Sequence, residues 1–487
     1  MNNLNSAKHI GITEKKAANF SEWYTQVVLK TQLADYAPVK GFMVLRPYGY
    51  SIWESIKAIL DKHFKATGHQ NSFLPLLIPE NLLEREEEHF QGFSSEVFWV
   101  TRAGDNKLAE KLALRPTSET LAYTIYSKWI SSYRDLPVKI NFWNSALRAE
   151  IKATKPFVRT SEFLWQEGHT VHTTEQEAEQ EVRLILEIYH DLVENYLAIP
   201  SISGFKTDKE KFVGAKYTMT LEGLMADGKA LQMATSHHLG QNFSKPFDIK
   251  FLGKDSAQHF AWQTSWGISW RLIGALIMVH GDDKGLILPP RIAPIQVIIV
   301  PIFRNKDAEL VKSKANQLAG ELEKSDIRVY MDDREEYTAG WKFNEWETKG
   351  VPLRINIGSR DIEKNQVEFV RRDTGEKSLV KQIKLTEGVI SVLNQIQDNL
   401  LVRARKQLDE NMTSTSNYST LKSVLEEKGG FVLTGWCGDG ICECKIKEET
   451  GADIRVIPVE AQDMSELPMC IYCGKKAKKP AFIAKAY

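Results

Sequence analysis

Residues 147–169 read LRAEIKATKPFVRTSEFLWQEGH, and this stretch decides the fold of the first part of the chain. Two segments overlap the ends of this stretch, KINFWNSALRAEI and RTSEFLWQEGH. Apolar and polar residues alternate in both, which predicts two antiparallel strands. The basic segment between them carries Lys152, Lys155 and Arg159. An arginine beside a glutamate, a cationic loop and an aromatic ring on the returning strand are the groups that a nucleotide triphosphate requires. For an isolated Arg148-x-Glu150, a hairpin with surface ion pairs is the simpler explanation.

Two other units of the first 290 residues belong with this hairpin. An amphipathic helix over 50–64 leads into a predicted strand over 72–78 that Pro79 closes. Later, the small-residue segment Gly267-Ile268-Ser269-Trp270-Arg271 precedes an apolar helix over 272–279. A helix start whose arginine binds nothing would explain this last segment alone. A further helix over 174–196 opens with the capping-box pattern Thr174-x-x-Glu177.

A change of composition at GLILPPRIAP marks the start of a second domain. Its prolines make a stiff boundary. The pattern that follows is a strand over 295–300, a helix over 306–324, a strand over 327–331, a helix over 340–349 and a strand over 353–357. This order predicts a domain of about 100 residues built on a mostly parallel sheet.

Composition excludes several classes of protein. The chain has 487 residues, of which 43% are apolar, so it is long enough for about three domains with ordinary cores. The 63 Lys and Arg residues balance 63 Asp and Glu residues, so no global field attracts nucleic acid or anionic lipid. The N-terminus lacks a signal-peptide core, and the longest apolar run is too short for a membrane span. We expect a soluble cytoplasmic protein.

The five cysteines all fall between residues 437 and 473. Their pattern, C-x4-C-x-C and then C-x2-C after 25 further residues, is typical of a four-thiolate zinc site, and so confined a cluster suggests a reducing compartment. Four ligands must come from five candidates. A reduced cluster without metal is the alternative. A closed shell of four sulfurs would make the metal structural, because it leaves no position for water.

These units together resemble the three signature motifs of class II aminoacyl-tRNA synthetases. More specific strings resemble the prolyl-tRNA synthetase family in its archaeal/eukaryotic-type branch. They are Arg115-Pro116-Thr117-Ser118-Glu119-Thr120, Trp165-Gln166-Glu167-Gly168-His169 and Gln232-x-x-Thr235-Ser236-His237-x-Leu239-Gly240-x-Asn242-Phe243. The resemblance implies an α+β catalytic domain with an antiparallel sheet (1–287), an α/β anticodon-binding domain (288–402) and a small zinc-binding α+β C-terminal domain (403–487).

The resemblance also implies roles for individual residues. Arg148 and Arg271 are the expected catalytic residues. The residues expected to bind proline are Thr117, Glu119, Arg148, Trp165, Glu167, His169 and His237. The residues expected to bind ATP are Arg148, Glu150, Arg159, Phe163, Gln232, Thr235, Ser269 and Arg271. Without its surrounding string, His237 would be interpreted as a buried core histidine.

Outside the catalytic domain, the resemblance selects Cys437, Cys442, Cys470 and Cys473 as structural zinc ligands and leaves Cys444 spare. Glu347 and Arg354, in the KGVPLR region, are candidates for anticodon recognition, and a solvated ion pair explains them equally well. In relatives a C-terminal tyrosine carboxylate can lie near the active site, and Tyr487 matches that ending; a frayed terminus is the alternative.

The implied function is ATP- and Mg²⁺-dependent activation of L-proline and its transfer to tRNA(Pro) by a homodimer, with no membrane association. The interval of about 100 residues between the second and third motifs leads us to expect no editing domain in the chain. Two other functions stay open from sequence. One is a catalytically silent paralogue that binds tRNA or an amino acid, and the other is a class II synthetase for another amino acid.

Overall fold

The fold is taken from a computed structural model, which describes residues 11–83, 97–149, 154–304, 306–460, 462 and 464–487. Helices in the first 290 residues include α1 (Phe20–Lys30), α2 (Pro47–Ala66), α3 (Glu119–Trp129), α4 (Glu175–Asp191) and α5 (Arg271–His280). The strands are β1 (Ala34–Tyr36), β2 (Met43–Leu45), β3 (Gln70–Ser72), β4 (Leu77–Pro79), β5 (Trp99–Ala103), β6 (Asn106–Leu114), β7 (Val138–Leu147), β8 (Glu162–His172), β9 (Ile202–Phe205), β10 (Tyr217–Leu224), β11 (Ala230–Gly240), β12 (Lys250–Leu252), β13 (Gln258–Phe260) and β14 (Trp262–Ser269).

The main sheet has the strand order β9-β10-β11-β14-β8-β7-β3 within this part of the chain. All neighbours are antiparallel except β3 and β7, so the predicted antiparallel catalytic sheet is confirmed. The α4 helix begins at the predicted capping box, because Thr174 and Glu177 exchange side-chain hydrogen bonds with each other's backbone N–H. It runs into a π-helical turn over Leu192–Tyr196.

The strand predicted over 72–78 is wrong as a single element. Its first residue ends β3 in the main sheet, and its last residues lie in β4, which belongs to a separate sheet of order β4-β6-β5. Pro75 separates the two. A proline has no N–H to donate to a strand ladder, and here the backbone carbonyls of Leu74 and Pro75 accept hydrogen bonds from Arg115 instead.

The second domain contains β15 (Val297–Ile302), α6 (Ala308–Glu323), β16 (Val329–Met331), α7 (Ala339–Thr348), β17 (Leu353–Gly358), α8 (Ser359–Glu363), β18 (Gln366–Arg371) and β19 (Lys377–Lys381). Its sheet order is β16-β15-β17-β18-β19. The first three strands are parallel, as predicted, and the last two are antiparallel. A long helix, α9 (Leu385–Glu410), then leads toward the C-terminal residues.

The C-terminal residues form β20 (Met412–Ser414), α10 (Tyr418–Glu427), β21 (Phe431–Trp436), α11 (Gly440–Thr450), β22 (Asp453–Pro458) and β23 (Lys479–Ala484). These strands do not make a separate sheet. They extend the main sheet in the order β20-β21-β23-β22-β9, because Ile457 and Pro458 of β22 pair with Phe205 and Gly204 of β9. The C-terminal domain is therefore continuous with the catalytic sheet through backbone hydrogen bonds.

The largest apolar core lies where α2, α4 and α5 cover one face of this sheet. Phe64, Tyr189 and Trp266 are almost fully buried there, and their rings meet at centroid distances of 5.0 to 6.4 Å. Burial of such aromatic side chains contributes strongly to the stability of this core. Among the described residues, no helix combines the length and the apolar character that a membrane span requires.

Candidate active site

A cavity of about 530 Å³ opens over the main sheet, on strands β8, β10, β11 and β14. Its lining includes every described residue that the sequence predicted for proline or ATP. These are Thr117, Glu119, Arg148, Arg159, Phe163, Trp165, Glu167, His169, Gln232, Thr235, His237, Ser269 and Arg271. Glu150 lies outside the described residues, as does Lys152 of the basic segment. The tertiary structure thus brings residues more than 150 positions apart to one place.

The strand register explains how these side chains share a face. Gly267 of β14 lies opposite both Glu167 of β8 and Thr235 of β11. In the next row, Ser265 lies opposite both His169 and His237. Residues directly opposite each other on antiparallel strands project to the same side of the sheet. Two rows of functional groups therefore form the floor of the cavity, with the small Gly267 between two of them.

One end of the cavity is a buried polar cluster. Glu167 accepts hydrogen bonds from His169 Nε2 at 3.1 Å, Asn144 Nδ2 at 2.9 Å and the Ser118 hydroxyl. Burial alone would raise the pKa of Glu167, but these hydrogen bonds outweigh it and hold the pKa below its usual value. Glu167 is therefore a carboxylate that is already fully engaged with its neighbours.

Glu119 stands in the same cluster but in a different electrostatic state. The Thr117 hydroxyl donates to its carboxylate. Burial raises the pKa of Glu119, and the nearby Glu167 carboxylate acts in the same direction although His169 opposes them. A ligand cation placed beside Glu119 would relieve this cost, because it favours the ionised form. This end of the cavity can therefore accept a small cationic group.

His237 forms part of the wall next to this cluster. Burial, with a smaller effect of His169, lowers its pKa from 6.5 to about 3, so the ring is neutral. Its Nδ1 lies 2.8 Å from the Thr218 hydroxyl, and its ring contacts Phe212 at a centroid distance of 4.8 Å. A neutral ring held on two sides can shape a pocket for an apolar ligand.

The other end of the cavity is cationic. Arg271 begins α5 and is partly buried; its Nε donates to Val158 O at 3.3 Å and its Nη1 to Gln232 O at 3.4 Å. Burial and the nearby Arg148 lower the pKa of Arg271 to about 10, where it still carries its charge at neutral pH. The guanidinium of Arg148 lies 5.3 Å from the ring centroid of Phe163. Two arginines beside an aromatic ring suit a nucleotide phosphate and base.

The turn at Lys155–Arg159 closes this end. Lys155 and Arg159 exchange backbone hydrogen bonds of 2.9 Å. The ammonium of Lys155 lies over three rings, at 5.2 Å from Phe20, 4.7 Å from Tyr24 and 4.4 Å from Tyr487. Burial lowers the pKa of Lys155 to about 8. Tyr487 is itself a lining residue, so the interpretation of a frayed terminus is wrong.

Among the lining residues that sequence reasoning missed are Ser265 and Phe212. Ser265 could have been found, because it stands two positions before Gly267 and four before Ser269 on one strand, and alternation places all three on one face. Phe212 lies in a loop, where no periodicity indicates the direction of a side chain.

A second cluster lies in the C-terminal domain. Cys437, Cys442, Cys470 and Cys473 bring their sulfurs within 4.8 Å of one another, and the chain's fifth cysteine, Cys444, stands outside this group. Cys437 Sγ lies 3.7 Å from Cys442 Sγ and 3.8 Å from Cys473 Sγ. Tetrahedral zinc with bonds of about 2.3 Å requires sulfurs about 3.8 Å apart. The donor set and its spacing therefore fit zinc.

The two anticodon candidates lie on the second domain without pairing with each other. Glu347 accepts a hydrogen bond from Lys284 Nζ at 2.7 Å. Arg354 donates to Asn356 Oδ1 at 3.2 Å and lies 4.0 Å from the ring centroid of Phe343. Glu347 is nevertheless among the charges that act on Arg354, so an anticodon contact and a solvated ion pair both stay open.

Three family models match consecutive parts of the chain. They are the tRNA synthetase class II core domain (G, H, P, S and T) at residues 98–280, the anticodon binding domain at 296–392 and the C-terminal domain of prolyl-tRNA synthetase at 418–487.

Full-length relatives agree with these matches. A proline–tRNA ligase of Cenarchaeum symbiosum is 57% identical over 479 residues, covering 98% of this chain and all of the relative. A proline–tRNA ligase of Natranaerobius thermophilus is 52% identical over 474 residues, covering 97% of each. The crystal structure of prolyl-tRNA synthetase from Cryptosporidium parvum, complexed with halofuginone and AMPPNP, has a TM-score of 0.93 at 42% identity and covers 98% of this chain and 100% of its own.

Proposed function

The chain belongs to the prolyl-tRNA synthetase family and has its activity, proline–tRNA ligation, and from this premise we propose which of its residues carry out each part of the reaction. Proline is activated with ATP to prolyl-adenylate, and the prolyl group then passes to the 3′ end of tRNA(Pro). The observation that carries the proposal is that one cavity joins the buried Glu119–Glu167–His169 cluster to an end bearing Arg148 and Arg271.

The buried cluster is the proposed proline site. Thr117 and Glu119 receive the cationic ring nitrogen, since burial leaves the Glu119 carboxylate in need of a positive partner. The ring of proline then lies against a wall made by Trp165, Glu167, His169 and His237. Arg148 binds the proline carboxylate at the mouth of this pocket.

The cationic end is the proposed ATP site. Arg148 also contacts the α-phosphate, Arg271 and Arg159 bind on the outer phosphate side, and Phe163 stacks on adenine. Glu150 is proposed at the adenine edge. The remaining proposed ATP contacts are those of Gln232, Thr235 and Ser269.

The chemistry follows from positioning and charge. The proline carboxylate attacks the α-phosphorus in line, the bond to the β-phosphate oxygen breaks, and pyrophosphate leaves. The terminal adenosine hydroxyl of tRNA then attacks the prolyl carbonyl and AMP leaves. Arg148 and Arg271 stabilise the charge that develops on the phosphates. Mg²⁺ enters as part of the nucleotide substrate, and the neutral side-chain oxygens of Gln232 and Ser269 are suited to its hydrated shell.

The division of labour along the chain is proposed as 1–287 for catalysis, 288–402 for anticodon binding and 403–487 for the zinc-binding domain. The second boundary falls inside α9, which is a single helix. Glu347 and Arg354 remain the proposed anticodon contacts. Their side chains are partly exposed at the end of α7 and on β17, where unpaired bases could reach them.

The four clustered cysteines are proposed to hold one structural zinc ion. When bound, the ion would cross-link β21, α11 and the segment that precedes β23. A reduced four-thiolate site is compatible with the cytoplasm, which is the proposed compartment.

A homodimer is the proposed assembly. In the segment that leads into Pro79, Phe73 is 80% exposed, Leu76 41% and Leu77 38%. Such neighbouring exposed apolar side chains are suited to an interface with a second copy of the chain.

The deciding experiment is proline-dependent exchange between ATP and pyrophosphate, repeated with alanine and with cysteine. The proposal requires exchange with proline, and its loss in Arg148→Ala. Absence of exchange with proline would favour a catalytically silent paralogue.

A further inference from the structure

A buried triad of charged residues joins the C-terminal domain to the catalytic sheet. Its members are Lys206 after β9, Glu222 on β10 and Arg455 on β22, and their side chains are 1%, 0% and 9% exposed. Lys206 Nζ donates to Glu222 Oε1 at 2.5 Å. Arg455 donates to both Glu222 oxygens at 3.1 to 3.2 Å. One carboxylate is thus shared by two cations from different domains.

The triad lies next to the cationic end of the active site. Glu222 follows Thr218 and Thr220 at alternate positions of β10, and the Thr220 hydroxyl lies 3.4 Å from its carboxylate. Across the strands, Glu222 is paired with Gln232 of β11. The backbone carbonyl of Gln232 accepts the 3.4 Å hydrogen bond from Arg271 Nη1. Gln232 therefore lies between the two groups: it pairs with Glu222 across the strands, and its carbonyl binds the arginine proposed to bind ATP.

Lys206 contacts only Oε1 of Glu222, so loss of Arg455 would leave the buried Oε2 without its donor. Among the influences on the charge state of Arg271, after burial and Arg148, are Glu222 and Arg455, which act in opposite directions. A buried carboxylate oxygen without a hydrogen-bond donor is costly, so Glu222 would favour another donor nearby. Without Arg455, the nearby Arg271 would be drawn toward Glu222 and away from the phosphates of ATP.

We propose that Arg455 is a positioning residue of the ATP site. By binding both oxygens of Glu222, it leaves the guanidinium of Arg271 free for the nucleotide, so that the C-terminal domain completes the adenylation site. This inference rests on the ATP-binding role proposed above for Arg271.

The test uses the full chain and compares three variants in proline-dependent ATP–pyrophosphate exchange, with thermal unfolding measured alongside. Arg455→Met removes the charge, and Arg455→Lys keeps the charge but loses the two-pronged contact. Glu443→Gln is the matched control. Glu443 accepts a buried 2.7 Å hydrogen bond from Thr207 between the same two domains, and this variant weakens that bond by removing the carboxylate charge.

We expect Arg455→Met to raise the KM for ATP at least tenfold while the KM for proline stays within twofold. Arg455→Lys should raise the KM for ATP about threefold, and it reports on the inference even if the Met variant fails to fold. Glu443→Gln should leave both KM values unchanged. Equal effects on the two KM values, or equal effects of the Met and Gln variants, would show that Arg455 only holds the domains together.

Arg271→Lys separates this inference from the proposal on which it rests. If that variant leaves the KM for ATP unchanged, the proposed role of Arg271 is wrong. If it raises the KM for ATP and neither Arg455 variant does, only the positioning role of Arg455 is overturned.

Discussion

The ammonium nitrogen of Lys155 lies 3.1 Å from the phenol oxygen of Tyr487, across 332 positions of sequence. The same phenol donates a 2.5 Å hydrogen bond to Asp227. Residue 487 is further fixed by its backbone N–H, which donates to Ala230 O at 3.2 Å. The side chain of the last residue is thereby connected to the turn that carries Arg159 beside the proposed ATP site.

Tyr487→Phe should weaken ATP binding, because it keeps the ring but removes the hydroxyl that holds both Lys155 and Asp227. A hydrogen bond to a charged group contributes about 1.5 to 3 kcal/mol, so we expect the KM for ATP to rise about tenfold in the exchange assay. Tyr418→Phe is the matched control, since its hydroxyl contacts Glu449 in the same domain. Identical kinetics of the two variants would contradict the prediction.

Glu119→Gln should impair proline binding selectively. The amide keeps the shape and loses the negative charge that the ring nitrogen of proline requires. We expect the KM for proline to rise between about 10- and 100-fold, which corresponds to a charge-assisted hydrogen bond. The KM for ATP should change less than twofold in the same titrations. A parallel rise in both constants would argue that Glu119 only supports the fold.

Stability should fall as the pH drops below 6.5, because His280 is buried in its neutral form. Burial lowers its pKa from 6.5 to about 4, while Nε2 remains 2.8 Å from Leu197 O. The unfolded chain binds the proton below pH 6.5 and the folded chain does not until about pH 4. The stabilisation is therefore complete above pH 6.5 and is lost at about 1.4 kcal/mol per pH unit as the pH falls through this window.

His280→Gln removes this titration but can still donate to the carbonyl. Denaturant unfolding at several pH values should give a shallower slope for the variant between pH 6.5 and 4. His172 and His237 also have lowered pKa values, so part of the wild-type slope should persist. If wild type and His280→Gln show the same dependence of unfolding free energy on pH, His280 does not contribute to the loss of stability.

Zinc binding should depend on four of the five cysteines. Elemental analysis of the purified chain should give about one zinc per chain, and Cys470→Ser should abolish it because Cys470 is one of the four clustered thiols. Cys444→Ser should retain the metal, since this thiol lies outside the cluster. Chelation should lower the melting temperature of wild type and of Cys444→Ser. A metal-free wild type that a chelator does not destabilise would contradict the assignment.

The chain should activate alanine, and the alanyl-tRNA(Pro) that it forms should persist. A hydrophobic pocket rejects a smaller ligand by only about 1 to 3 kcal/mol per missing methylene. The stretch between Glu167 and Gly267 forms α4, strands of the main sheet and the separate small sheet of β12 and β13. We therefore expect slow alanine-dependent exchange and no hydrolysis of alanyl-tRNA(Pro) beyond the uncatalysed rate. Rapid deacylation by the purified chain would refute this.

The local elements and the types of residue at the site were readable from sequence because they depend on short-range patterns. Alternation predicted β7 and β8, the capping box predicted the start of α4, and the family strings predicted residues that all line one cavity where they are described. The single strand predicted over 72–78 was wrong because the prediction relied on the apolar residues and ignored Pro75. Proline has no N–H to donate to a strand ladder, so the chain is divided there into two strands.

Only the tertiary structure decided how distant segments meet. Nothing in the spacing of Arg455, Lys206 and Glu222 indicates that they share a buried site, and nothing near Tyr487 indicates a contact with Lys155. Such contacts follow from β22 joining β9, a pairing between residues about 250 positions apart. Sequence by itself determined the family through its specific strings, and local periodicity predicted α2, α4, α5, α6 and α7 together with some of the strands. The closed environment that sets the charge of each active-site residue exists only after the sheet has formed, since burial and long-range pairing create it.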